Sequence, residues 1–166
     1  MRIKNLAACS AAAAIAATFF SAPASAGTAS ATFQVTADVL AACSVSATTL
    51  NFANYTSSAG NKDVQSTVSV TCSNGTTYNV GLNEGASTGA TVSARAMTGP
   101  ASALLNYSLF SDSGRTVNWG NTVPTDTVGG TGSGAAQTLN VYGRIPGSQY
   151  VAIGHYADTI TATVTF

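Results

Sequence analysis

Few residues in this chain could do chemistry. His155 is its one histidine, next to Tyr156 and three positions before Asp158. That spacing would let a carboxylate orient an imidazole as a general base. Such a base needs an activated serine or cysteine, and no Gly-x-Ser-x-Gly elbow is present. Asp38, Asp63, Glu84, Asp112, Asp126 and Asp158 stand as widely spaced singletons that match no calcium loop. One histidine and two cysteines of an oxidised pair cannot build a closed zinc site. The glycines of 129–134 (GGTGSG) suggest a phosphate-cradling loop, but its lysine is missing and no helical pattern follows. Trp119, Tyr142 and Tyr150 could stack on a sugar; single aromatics in a β-domain more often fill core or edge. These residues argue against an enzyme, and no cofactor or metal is expected.

The elements that would position them begin beyond residue 26. Arg2 and Lys4 precede an Ala-, Ile-, Leu- and Phe-rich run over 6–20, followed by Ala24-Ser25-Ala26. A basic start, a short apolar stretch and small residues at the cleavage positions predict a secretory signal peptide over 1–26. The run is shorter than the ~20 residues a membrane span needs, so no membrane insertion is expected. Leu-Ala-Ala-Cys strings ending at Cys9 and Cys43 resemble a lipoprotein site, but the first precedes any apolar run and the second follows Asp38. Export leaves 27–166 as a single domain. Its bases (Lys62, Arg95, Arg115, Arg144) are outnumbered by its acids, with no cluster of either sign. A nucleic-acid partner is therefore not expected. Cys43 and Cys72 are the cysteines that remain, and in an oxidising compartment they predict one disulfide. A closed loop of about 30 residues would contribute roughly 3–4 kcal/mol in the chain-entropy picture.

Period-two patterns and turn signals alternate throughout, and no stretch carries a persuasive helical period. Strands are expected over 31–39, 44–52, 64–72, 78–82, 91–97, 104–110, 139–145 and 155–166, with 120–134 as a long glycine-rich loop. Ser73-Asn74-Gly75, Asp112-Ser113-Gly114 and Pro146-Gly147 punctuate them. Many short strands split by Gly, Asn and Pro predict an all-β sandwich of immunoglobulin type. The last strand places Ile160, Ala162, Val164 and Phe166 on one face, and with nothing following Phe166 its free edge calls for a partner. The 31–39 strand places Ala31, Phe33, Val35, Ala37 and Val39 on one face, and no turn signal interrupts 27–42. It reads equally as an ordinary first strand or as an arm meant for another molecule.

Several strings, in order, carry a resemblance: CSV at 43, LNFANY at 50–55, VSVTCSNGTTYNVGL at 68–82, LNYSLFSD at 105–112, NVYGRIP at 140–146 and GHYADTITATVTF at 154–166. The chain resembles the spore coat protein U domain family, which includes the Csu-type archaic chaperone–usher pilins. The likeness covers essentially all of 27–166. Where relatives often place paired arginines, this chain has Ala94-Arg95-Ala96-Met97, so no binding role is carried onto Arg95. The resemblance implies an immunoglobulin-like sandwich over 43–166 that lacks its last strand and is completed by donor-strand complementation. The arm over 27–42 would insert Ala31, Phe33, Val35, Ala37 and Val39 into a neighbour. Ile160, Ala162, Val164 and Phe166 would border the receiving groove and meet the chaperone. Implied partners are identical or related pilin subunits in a head-to-tail polymer, a periplasmic chaperone and an outer-membrane usher. The implied destination is a cell-surface pilus that supports attachment and biofilm formation. The alternatives are a self-complemented secreted coat or matrix protein and, more remotely, a secreted hydrolase.

Overall fold

The computed structural model describes residues 25–166; the greater part of the expected signal peptide, 1–24, lies outside the described residues. Eight strands form: β1 (Cys43–Ala47), β2 (Lys62–Cys72), β3 (Thr77–Leu82), β4 (Arg95–Thr98), β5 (Leu104–Phe110), β6 (Val128–Thr131), β7 (Ala136–Ile145) and β8 (Ala162–Thr165). They make a five-stranded sheet in the order β1-β2-β7-β5-β4 and a three-stranded sheet in the order β6-β3-β8. Every ladder is antiparallel.

The alternation in β2 explains the architecture. Ser66, Val68, Val70 and Cys72 are buried, while the residues between them remain partly accessible. Val141 and Ile145 of β7, Leu105, Tyr107 and Leu109 of β5, and Tyr78, Val80 and Leu82 of β3 complete one core between the sheets. Two strand glycines mark close approaches. A Cβ on Gly143 would stand 2.9 Å from both Leu50 and Phe52, so the 48–55 segment can lie against β7 only there. A Cβ on Gly130 would meet the Tyr78 ring at 2.6 Å. β6 therefore forms inside the segment expected to be a loop, because the glycines admit that ring.

Other boundaries differ from expectation for physical reasons. The 44–52 strand ends at Ala47, beyond which the Thr48 hydroxyl turns to Ser66 Oγ (2.8 Å) and Thr67 Oγ1 (3.0 Å). In place of the 91–97 strand, β4 begins at Arg95 and runs to Thr98, since Thr91 and Ala94 close a tight turn. The final strand is confined to Ala162–Thr165; 155–161 is irregular, joined to β4 by reciprocal Thr98–Ala157 main-chain bonds. Residues 31–39 form no strand and enter no ladder.

Cys43 and Cys72 are bonded. They sit directly opposite each other in the β1–β2 ladder, so the bridge fixes the edge strand to its neighbour. Cys43→Ser is expected to lower unfolding free energy by about 2–5 kcal/mol, read as a fall in denaturant midpoint that a reductant reproduces in the wild type.

Candidate functional site

The core is incomplete at the Ala47 end of β1. A groove of about 1080 Å³ opens there, floored by side chains of both sheets, among them Val68, Leu82, Leu105, Tyr107, Val141 and Ile145. One lip is the 47–57 segment and the other is 151–162. Beside it, β8 is hydrogen-bonded to β3 alone among the described strands, which leaves its other edge free of a ladder.

The second lip has little ladder of its own and is held by side chains. β7 ends where Pro146, which has no N–H, would face Asn106 of β5. Gln149 fills the gap: its Oε1 accepts from Asn106 N–H (2.8 Å) and its Nε2 donates to Asn106 O (2.9 Å) and Pro146 O (3.1 Å). The side-chain amide thus does what a peptide unit of β7 would have done. The Gln149 main-chain N–H donates to Tyr55 Oη (2.9 Å), which itself donates to Pro146 O (3.1 Å), tying one lip to the other. Asp158 secures the far end. It accepts from Tyr107 Oη (2.7 Å), Ala86 N–H (2.7 Å) and Thr159 N–H (2.8 Å). Burial, together with the bond to Asp158, holds the Tyr107 hydroxyl well above a phenol's ordinary pKa, so it stays a donor.

Behind the floor lies Arg95, which is 0 % exposed. Its guanidinium donates to Asn83 O (2.8 Å), Val92 O (2.7 Å), Leu82 O (2.7 Å) and Trp119 O (2.8 Å). Burial pulls its pKa down, and the nearby Asp158, Asp126 and Glu84 pull it back up. A single sequence offers no signal for this role; an arginine between two alanines looks like any exposed strand residue.

The other sequence candidates fall as follows. Ile160 and Ala162 line the groove; Val164 packs on the core; Phe166 is 58 % exposed. Phe33, Val35 and Val39 are 86, 84 and 92 % exposed, and Ala31 and Ala37 are exposed with them. His155 is exposed. Trp119 is a core residue, its Nε1 donating to Val80 O (2.8 Å), and Tyr142 lies under the Arg115 guanidinium. Among the described residues no group of three His, Cys, Asp or Glu is placed to hold a metal. The groove's chemistry is that of apolar burial beside an open strand edge.

Residues 29–163 match the Spore Coat Protein U domain. Protein U of Myxococcus xanthus is 39% identical over 159 residues, covering 87% of this chain and 88% of that protein. Among solved structures, one chain of the CsuC–CsuE chaperone–tip adhesion subunit pre-assembly complex, from archaic chaperone-usher Csu pili of Acinetobacter baumannii, is similar with a TM-score of 0.57 and 27% identity. The likeness covers 77% of this chain but only 40% of that one, so this chain spans less than half its length.

Arg95→Met would strand two buried carbonyls, of Leu82 and Trp119, and two part-buried ones, of Asn83 and Val92, and is expected to cost about 3–5 kcal/mol. Arg95→Lys, with three donors and no fork, should recover only part of that in equilibrium denaturation.

Proposed function

The chain belongs to the Spore Coat Protein U domain family, and from that premise we propose that it is a structural subunit of a chaperone–usher pilus, polymerising by donor-strand exchange. One observation carries the proposal: an apolar groove beside the unpaired edge of β8, in a chain that also holds an exposed segment of the right alternation to fill it. Phe33, Val35 and Val39, at ~1.5–3 kcal/mol each, would contribute on the order of 5–9 kcal/mol on burial. Main-chain pairing along β8 would add direction and register. β8 approaches β1 across the sandwich, so a strand laid along that edge has to part them. In this proposal the arm is 27–42 and the receiving domain 43–166. Ile160, Ala162, Val164 and Phe166 form the border that meets first a periplasmic chaperone's strand and then the next subunit's arm. The contact is head-to-tail and does not close, so it builds a filament. Export through an outer-membrane usher to the cell surface, and a part in attachment and biofilm, belong to the same proposal; no catalytic step does.

The family's name keeps the self-complemented coat protein in view, but the path of the chain favours a neighbour. Ala42 extends the β1–β2 ladder past the disulfide: Ser73 N–H donates to Ala42 O (2.9 Å) and Ala42 N–H to Ser73 Oγ (3.1 Å). The chain thus enters β1 at the disulfide end, while the groove opens at the Ala47 end. Filling its own groove would require a reversal through Leu40-Ala41-Ala42, which holds no turn residue. Another subunit's arm meets no such constraint.

Phe33→Asp should abolish polymers, because the incoming strand would bury an unpaired carboxylate. The variant should still accumulate as soluble subunit, since its own groove is intact. Gln34→Asp, one position along and turned to solvent, should polymerise as the wild type does. Native mass spectrometry distinguishes ladders from monomer; loss of the isolated Phe33→Asp subunit would favour the self-complemented coat protein instead.

A further inference from the structure

The lip over 150–157 poses a physical problem. Ile153 is 102 % exposed and Tyr150 is 81 % exposed, yet both border or adjoin an unfilled apolar groove whose lining includes Ile153 itself. Folding these side chains inward onto Leu105, Tyr107 and Ile145 would remove apolar surface from water, a downhill move worth kilocalories per side chain. Something holds the lip out.

The restraint is the node already described. Gln149 precedes the lip, and its amide is committed at both ends to Asn106, with a further bond to Pro146 O. Its main-chain N–H is committed to Tyr55 Oη. Ser148, immediately before it, adopts a φ of 62°, a left-handed conformation that a serine takes only at some cost. The chain thus accepts backbone strain to aim one glutamine at the end of the β5–β7 ladder. The lip's other end is pinned to β4 through the reciprocal Thr98–Ala157 bonds, so a rotation inward must break one anchor or the other. The far anchor is reinforced by the Asp158 carboxylate; the near one depends on Gln149 and Tyr55.

We infer that Gln149, with Tyr55 as its partner, is a positioning residue for strand uptake, holding the 150–157 lip away from the floor so that an incoming strand meets an open groove. The inference rests on the strand-uptake reading above and deepens it. Gln149 borders the groove, but the role inferred for it is to hold the lip rather than to bind the strand. It acts by preorganisation: without it the lip collapses into the groove, and a strand must first displace Tyr150 and Ile153. The consequence falls on the rate of association. Once a strand is seated it keeps the lip out by its own bulk, so a loaded groove no longer depends on the latch.

The test uses the full exported chain carrying Phe33→Asp, which cannot donate its own arm, as acceptor. The probe is a fluorescein-labelled synthetic peptide of residues 29–41, followed by anisotropy. Gln149→Leu removes every bond of the Gln149 side chain and leaves those of the Tyr55 hydroxyl in place. Gln149→Glu keeps an acceptor for Asn106 N–H and loses the donor to Asn106 O and Pro146 O. Tyr55→Phe removes the tie between the lips. Expected for Gln149→Leu is a fall in association rate of about tenfold, with the dissociation rate and the melting temperature of the loaded complex unchanged. Smaller falls are expected for the other two. Equal association rates in wild type and Gln149→Leu would overturn the inference and leave the proposed function standing. Slowed association with equally accelerated dissociation would also overturn it, because Gln149 would then be merely structural. Absence of peptide uptake by the Gln149-containing acceptor would remove the strand-uptake reading and the inference with it.

Discussion

Arg95 is a full positive charge taken out of water whose hydrogen bonds all run to main-chain carbonyls. Such a group is tolerated only if its donors are met, and here they are met by carbonyls from different parts of the chain: Leu82 at the end of β3, Asn83 just beyond it, Val92 before β4, and Trp119. Because β4 is an edge of the five-stranded sheet and β3 the centre of the other, the guanidinium fixes how the two sheets meet at that edge. At the opposite edge of the larger sheet stands β1, fixed by its disulfide to β2 but to nothing in the smaller sheet by a ladder. The sheets are therefore tied by hydrogen bonds at one margin, while at the other β1 and β8 approach without sharing a ladder.

An open margin is a hazard for a secreted β-protein. Unpaired strand edges and apolar grooves invite indiscriminate association. The fold limits this risk by keeping the regular part of the edge short: β8 spans only Ala162–Thr165, and the irregular 155–161 segment before it presents no continuous row of donors and acceptors. Asp158 shapes that segment by drawing Ala86, Thr159 and Tyr107 onto one carboxylate. In the strand-uptake proposal the selective element is the groove, which would favour a strand with apolar residues at every second position and disfavour a charge at any of them.

The strands that were plain in the sequence are those whose alternation is enforced by burial on one face: 64–72, 78–82, 104–110 and 139–145 all reappear within β2, β3, β5 and β7. Cys43 and Cys72 were legible too, because in a chain expected to be exported a lone pair has one simple fate. The failures share a cause. β6 is hidden by glycines whose purpose, room for Tyr78, exists only in three dimensions. The shortening of 155–166 reflects anchoring by Asp158 and Ala157 to residues remote in sequence. Gln149 and Arg95 were unreadable for the same reason. A polar side chain that replaces a peptide group, or one that gathers carbonyls from separate loops, has no local pattern to betray it.

Residues 31–39 and 160–166 show what periodicity can and cannot specify. Both alternate with a period of two, and in both the alternation would place apolar side chains on one face. Yet the second finds β3 and half-buries Ile160, Ala162 and Val164, while the first leaves Phe33, Val35 and Val39 in water. Alternation states which face must be covered but says nothing of what covers it. That choice belongs to connection and geometry. The C-terminal segment is delivered to β3 by a chain already tied at Gln149, Ala157 and Asp158. The N-terminal segment joins the domain at Ala42, where bonds to Ser73 carry the β1–β2 pairing past the disulfide. In the donor-strand proposal, that exposed face is the one a neighbouring subunit would cover.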